Sequence, residues 1–269
     1  MQALHRRARL YAAPFLRRCI GIMPRVDRAT LLSLLLGSLG ACAPDGAVVT
    51  GYGFVELDAN ATNHIVGLQT TLVVPARPPG SGTLFLWPGL QPQTGGAGYD
   101  PIGNGVLQPV LAWGNSCAPG IEPPTYATWW ISGQYYDDEG TDPAHTGCYG
   151  GPIMPAPVAE PLRLTMTLSG TVWHQTVVGS GGSVGFDEDL MDQAQNRAMF
   201  VIEGYSAAPV SDVIFTDTTI TFASPDFEDC AVARRGQNDF ISTPVPSSDG
   251  LSCFIAEIVL RAQGVPADG

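Results

Sequence analysis

The chain has 269 residues, 45% hydrophobic and 14% charged, with 32 Gly, 23 Pro and a formal net charge of −12. A turn-rich chain with this much apolar content buries one large β-rich core and does not read as a helical protein. All 13 basic residues are Arg, so chemistry that needs lysine is excluded: Walker-type phosphate binding, Schiff bases and a Ser-Lys dyad.

Seven of the arginines (Arg6, Arg7, Arg9, Arg17, Arg18, Arg25 and Arg28) precede the apolar run "LLSLLLGSLGA". A basic segment followed by an apolar stretch too short to span a bilayer reads as a targeting signal over residues 1–41. The run ends in "LGAC", which resembles a bacterial lipoprotein signal, with Cys42 becoming the acylated first residue of the mature chain. Ordinary cleavage around "ACA" (Ala41 to Ala43) is the alternative, and it releases a soluble protein. Translation from Met23 would give a leader of more usual length. Both routes export the chain, either to the cell envelope as a lipoprotein or into the medium.

From Cys42 onward six Arg face 24 acids, and 6 minus 24 gives −18. That field repels nucleic acid and anionic lipid surfaces, leaving a lipid anchor as the membrane contact. Residues 42–49 read as a linker and residues 50–265 as a single domain.

Ten segments of period 2 follow in chain order. They are "GYGFVEL", "HIVGLQTTLVV", "TLFLWPGL", "GVLQPVLAWG", "YATWWISGQYY", "LRLTMTL", "TVWHQTVV", "AMFVIEGY", "DVIFTDTTITF" and "CFIAEIVL". Short strands separated by "PARPPGSG", "PQTGGAGYDPIGNG" and "GSGGS" predict an all-β antiparallel sandwich. A helical turn is expected at "DEDLMDQAQ" (Asp187 to Gln195). Past Cys42 four cysteines remain, and in an exported protein an even set predicts two disulfides. Sequential pairing, Cys117 with Cys148 and Cys230 with Cys253, closes the shorter loops.

Alternation within strands puts two polar groups in unusual company. Glu203 shares a face with Met199, Val201 and Tyr205, and Gln108 shares one with Val106, Val110 and Ala112. A charge among apolar neighbours is costly unless hydrogen-bonded or protonated. A carboxylate and a primary amide can also hydrolyse together, the acid taking a proton from water and the amide donating to the oxyanion that forms. The bland reading of the pair is two satisfied polar residues of a half-exposed sheet.

Other groups carry less. The acids of "YYDDEGTDPAH" (Asp137, Asp138, Glu139, Asp142) fit no EF-hand spacing and read as a solvated loop. His64, His145 and His174 are isolated, and no GxSxG surrounds a serine. No metal or cofactor is expected. In "TYATWWISGQYY", Tyr126 and Trp130 fall on one face and Trp129 and Tyr135 on the other, so one face is core and the other is free to stack on a ligand.

The order "LFLWPGL", "VLQPVL", "YATWWISGQYYD", "LRLTMTLSGTVWHQTV", "AMFVIEGYS" and "DVIFTDTTITFAS" resembles the glutamic peptidases (eqolisins), acid proteases on a concanavalin-like, jelly-roll sandwich. The resemblance spans residues 50 to 224. It implies an acid-active endopeptidase in which Glu203 is general base and acid and Gln108 stabilises the oxyanion. It also implies a cleft for polypeptide substrates lined by aromatic residues: Trp87 by the family match, with Trp130 and Tyr205 added from their strand faces. Pro109, Gly204 and Gln91 depart from the family pattern. The alternative is a non-catalytic concanavalin-like module binding glycan or peptide, and a glycoside hydrolase would need a second carboxylate facing Glu203.

Overall fold

The computed structural model describes residues 49–60, 62–92, 102–114, 116, 127–137, 142–207 and 210–261. The predicted signal, Cys42 and Cys117 lie outside these, as do Tyr126, Asp138 and Glu139. All described residues fall in one compact unit.

The strands are β1 (Val49–Asp58), β2 (Ile65–Val73), β3 (Thr83–Gln91), β4 (Val106–Trp113), β5 (Trp129–Asp137), β6 (Gly147–Gly150), β7 (Met154–Pro155) and β8 (Pro161–Ser169). They continue as β9 (Val172–Gly179), β10 (Gly182–Asp189), β11 (Arg197–Tyr205), β12 (Val213–Phe222), β13 (Val232–Arg235), β14 (Phe240–Ile241), β15 (Val245–Pro246) and β16 (Ser252–Leu260). One sheet runs β13-β1-β11-β3-β4-β5-β6 with β7 beside β5, and the other runs β10-β9-β8-β2-β12-β16-β14 with β15 beside β16. Every pairing is antiparallel, so the predicted sandwich is the observed one.

The core between the sheets takes Leu86, Leu111, Ile131, Phe200 and Ile202 from the first sheet. Leu68, Leu164, Met166, Trp173, Phe215 and Ile258 come from the second. Trp129 and Tyr135 also point into this core, as their alternation predicts. In the second sheet the outer face is exposed, and β8 alternates between open and buried positions. The first sheet differs, because β3 and β4 are buried along their whole length and β11 nearly so. Their sequences are apolar on both faces, as strands covered on both sides must be.

The expected helical turn at 187–195 does not form. Asp187 to Asp189 complete β10, and Met191 and Asp192 then take positive φ values of 52° and 65°. That geometry breaks a helix and closes a tight turn. Gln193 leaves the turn to bond the backbone of Ile102 and Gly103, at 3.2 and 2.8 Å. A single 3-10 turn lies at Glu228–Cys230. Its Cys230 is bonded to Cys253 in β16, across a sequence separation of 23. Cys148 is also disulfide-bonded.

Candidate active site

The outer face of the first sheet carries a second apolar cluster: Phe85, Trp87, Val106, Val110, Ala112, Trp130, Met199, Val201 and Tyr205. Glu203 and Gln108 stand on this same face, since their neighbours two residues away belong to the cluster. Both are buried, at 3% and 4% exposure. Strand register fixes their spacing. Glu203 lies opposite Phe85, and Phe85 lies opposite Ala112. Leu90 pairs with Leu107, a register that carries Gly89 opposite Gln108. Their backbone positions are therefore on the two strands that flank β3, four residues offset, about 10 Å sideways and roughly 13 Å lengthwise by ordinary sheet spacings.

Trp87 occupies the ground between them. It lies opposite Val201 on β11, and its ring rests over Gly89. A Cβ added at Gly89 would sit 2.8 Å from Trp87 Cζ3 and 2.9 Å from Val106 Cγ1. The glycine of this Trp-x-Gly element is thus what lets the indole lie flat on the sheet.

The electrostatics of Glu203 follow from burial. Its carboxyl is pushed from an ordinary value of 4.5 up to about 8, chiefly because burial disfavours the charge. Tyr205 and Trp87 pull partly the other way. The Tyr205 hydroxyl lies 3.4 Å from Glu203 Oε2, a long hydrogen bond. The Trp87 indole N–H faces the carboxyl and favours its anion. It stops short of hydrogen-bond geometry, however, and Nε1 is a buried donor without a partner. Geometry governs here: the donor is available rather than spent.

Gln108 is in the same condition. Its Oε1 is buried without a hydrogen bond. Gln134 lies directly across the β4–β5 ladder but gives its amide to Ser132 Oγ at 2.9 Å. A cavity of about 10 Å3 lies among Phe85, Trp87, Gln108, Gln134 and Tyr136, the scale of one water molecule. A single water in such a space would give the unpaired atoms around it a partner.

The remaining predicted residues are placed as follows. Trp130 is on the site's face, 1% exposed, with its N–H 3.3 Å from the Gly114 carbonyl. Tyr205 meets Phe85 edge to face at 5.9 Å. None of the three aromatics is an open platform. The other carboxylates on this face, Glu56 and Asp58 on β1, are tied to Arg234 and Arg197 at 2.6 and 2.7 Å. Glu56 lies opposite Met199, four residues along β11 from Glu203. Its carboxylate is held by Arg234 instead of standing free as the second acid of a glycosidase pair. No group of three or more His, Cys, Asp or Glu suited to a metal ion occurs among the described residues. The contact of Trp87 with Gly89 was not foreseen, although the Trp-x-Gly spacing was there to be read, whereas alternation had already put Tyr205 on the face of Glu203.

No protein-family model matches the chain, and no curated protein matches it. Among solved structures it is similar to Scytalido-glutamic peptidase with a peptide-based transition state analog. The two are 15% identical, with 80% of this chain and 100% of that one covered and a TM-score of 0.49. A second structure of that peptidase, with a transition state analog inhibitor, is 17% identical, with 78% and 99% covered and a TM-score of 0.46. SCP-B, a member of the eqolisin family in complex with the tripeptide Ala-Ile-His, is 17% identical over the same shares, with a TM-score of 0.43. No residue role rests on these likenesses.

Proposed function

We propose that this chain is an acid-active endopeptidase in which Glu203 handles the protons and Gln108 supports the oxyanion. The observation that carries the reading is a buried carboxyl, raised to about 8, on one face with two buried side chains that each keep an unpaired polar atom, Trp87 Nε1 and Gln108 Oε1. A carboxyl with so high a value is neutral throughout the acid range, so the working form is the acid itself.

The chemistry balances around that neutral group. As the water oxygen bonds to the substrate carbonyl carbon, one water proton passes to the carbonyl oxygen of Glu203. The Glu203 O–H proton passes at the same time to the substrate oxygen, giving a neutral diol. In the second step Glu203 protonates the leaving nitrogen while taking a proton from a diol hydroxyl, and the C–N bond breaks. Because Trp87, Gln108 and Glu203 are all buried, substrate reaches them only when the outer face of the sheet opens. For the Gln108 amide N–H groups to donate to the substrate oxygen as charge builds there, the opening that admits substrate must also shorten the span between Gln108 and Glu203.

Export is part of the proposal. It is supported by the Arg-rich, Leu-rich leader and by the Cys230–Cys253 bond, a pairing suited to an oxidising compartment.

The test is cleavage of a denatured protein from pH 3 to 9 by the wild-type chain, Glu203→Gln and Gln108→Ala. Each variant is expected to lose on the order of 100-fold or more in rate. Full activity in both would refute the mechanism. A chain inert in every form that still binds peptide or glycan would identify the binding module instead.

A further inference from the structure

His145 stands in the turn at residues 142–146, between β5 and β6, with 12% of its side chain exposed. Its Nδ1 lies 2.7 Å from Asp142 Oδ2, and its Nε2 lies 2.8 Å from the backbone carbonyl oxygen of Asp189 in β10. A carbonyl oxygen only accepts, so Nε2 must carry a proton. The Asp142 carboxyl is held below its ordinary value, first by the Ala144 N–H and then by His145. It is therefore an anion that also accepts, and Nδ1 must carry a proton too. A ring protonated on both nitrogens is the imidazolium.

We propose that protonated His145 is an acid-set clamp that fastens the β5–β6 turn of one sheet to β10 of the other and lets go when the ring loses a proton. A neutral imidazole has a single N–H, so it can hold the Asp142 side or the Asp189 side, but not both as a donor. The inference does not depend on the proposed peptidase activity.

Every element packed on the ring contributes to the balance. From its own turn comes Asp142. From β10 come the Asp189 carbonyl, the Asp189 carboxyl, which is held low chiefly by the Met191 N–H and in part by His145, and Glu188, whose Oε1 is 3.9 Å from Nε2. From β5 comes Tyr135, edge-on at 6.5 Å, with its hydroxyl 3.5 Å from Asp137 Oδ2. From β6 comes Tyr149, raised by burial and then by Glu188 and Asp142, so it stays neutral. Burial of His145 works against its charge, yet Asp142, the Asp189 carbonyl and Glu188 outweigh it and the ring titrates above 6.5. Glu188 is raised, chiefly by burial. Its ionisation on leaving acid adds a further anion to Asp142 and Asp189 beside the ring and delays release.

The clamp has a place from which it reaches the cavity. Tyr136 pairs with Cys148 and Gln134 with Gly150, so β6 backs the part of β5 that lines the space beside Gln108. Fastening the turn before β6 steadies that wall in acid.

The test is a nitrogen-detected NMR titration of His145 in the folded full chain from pH 4 to 9. Amide exchange of residues 142–149 is followed alongside it as protection factors. His145 is expected doubly protonated below its transition, to titrate above 6.5, and to lose at least 10-fold in protection across that transition. Asp142→Asn, which keeps the turn's shape, is expected to move both the titration and the loss of protection to lower pH together, by about half a unit or more. A ring that titrates at or below 6.5 overturns the proposal. So does protection that is equal at pH 5 and pH 8.5, or that ignores Asp142→Asn.

Discussion

Replacing Glu203 with Gln removes a titration while nearly preserving shape, which makes the cost of burying this acid measurable. In the folded chain burial holds the carboxyl near 8 against an ordinary value of 4.5, with Tyr205 and Trp87 opposing. An acid whose folded value is raised binds its proton more tightly when folded. Its contribution to stability is therefore fully present below about 4.5, drains as pH rises, and is gone above about 8. The interval of about 3.5 pH units, at about 1.4 kcal/mol each, sets a ceiling of about 5 kcal/mol. The amide introduced by Glu203→Gln does not titrate and would carry no such dependence. The assay is guanidinium unfolding of both proteins at pH steps from 4 to 9, plotted as the difference in unfolding free energy. That difference should be flat below about 4.5 and move in favour of the variant by several kcal/mol at pH 8. Parallel stability curves for the two proteins would refute the reasoning, because they would mean the carboxyl ionises as freely folded as unfolded.

Further predictions concern the groups around that acid and the chain's two ends. Tyr205→Phe removes the hydroxyl 3.4 Å from Glu203 Oε2, so the carboxyl should titrate higher by about one pH unit in carbon-detected NMR; a downward move would contradict the contact. Gly89→Ala puts a Cβ 2.8 Å from Trp87 Cζ3, and should cost about 1–3 kcal/mol in chemical unfolding and shift the indole fluorescence. Cys253→Ser opens the loop closed with Cys230 and should cost roughly 3 kcal/mol under oxidising conditions, with no difference from wild type under reduction. Cys42→Ser should release the chain from membranes in a bacterial export host, and unchanged membrane association would argue against lipid attachment at that residue.

Much of the sandwich was legible because its long strands alternate. The ten period-2 segments fall on ten of the observed strands, with ends differing by one to three residues where they differ. The eleventh long strand, β10, was hidden because "GSVGFDED" is an exposed edge strand rich in acids, and edge strands carry charge to discourage further pairing. That same acid content prompted the expectation of a helical turn, which the backbone at Met191 and Asp192 rules out. Glu203 and Gln108 sharing a face was legible from parity alone. Their offset was not, since it depends on the register of β11 and β4 against β3, which contacts distant in sequence set. Nor was the depth of burial legible, because it depends on what covers the face. His145 read as an isolated histidine for a similar reason: its β10 partner lies 44 residues away.

The two-sided burial of the first sheet also changes how its strands find their partners. In the second sheet a slip by one residue would throw Leu162, Leu164 and Met166 into water and be rejected at once. In β3 or β11 the same slip exchanges one apolar side chain for another, so hydrophobicity alone is nearly blind to it. Shape and hydrogen bonding must read the register instead. Gly89 leaves room for the Trp87 ring and for Val106, and Gly133 leaves room for Phe186 Cβ, which a Cβ of its own would meet at 2.7 Å. Gln175 crosses from β9 to grip the backbone of Gln134 at both N–H and carbonyl, at 3.3 and 2.8 Å. These fittings act as the index pins of the sheet, and losing one would let a strand settle one residue out of place, with its core still greasy and Glu203 facing the wrong way.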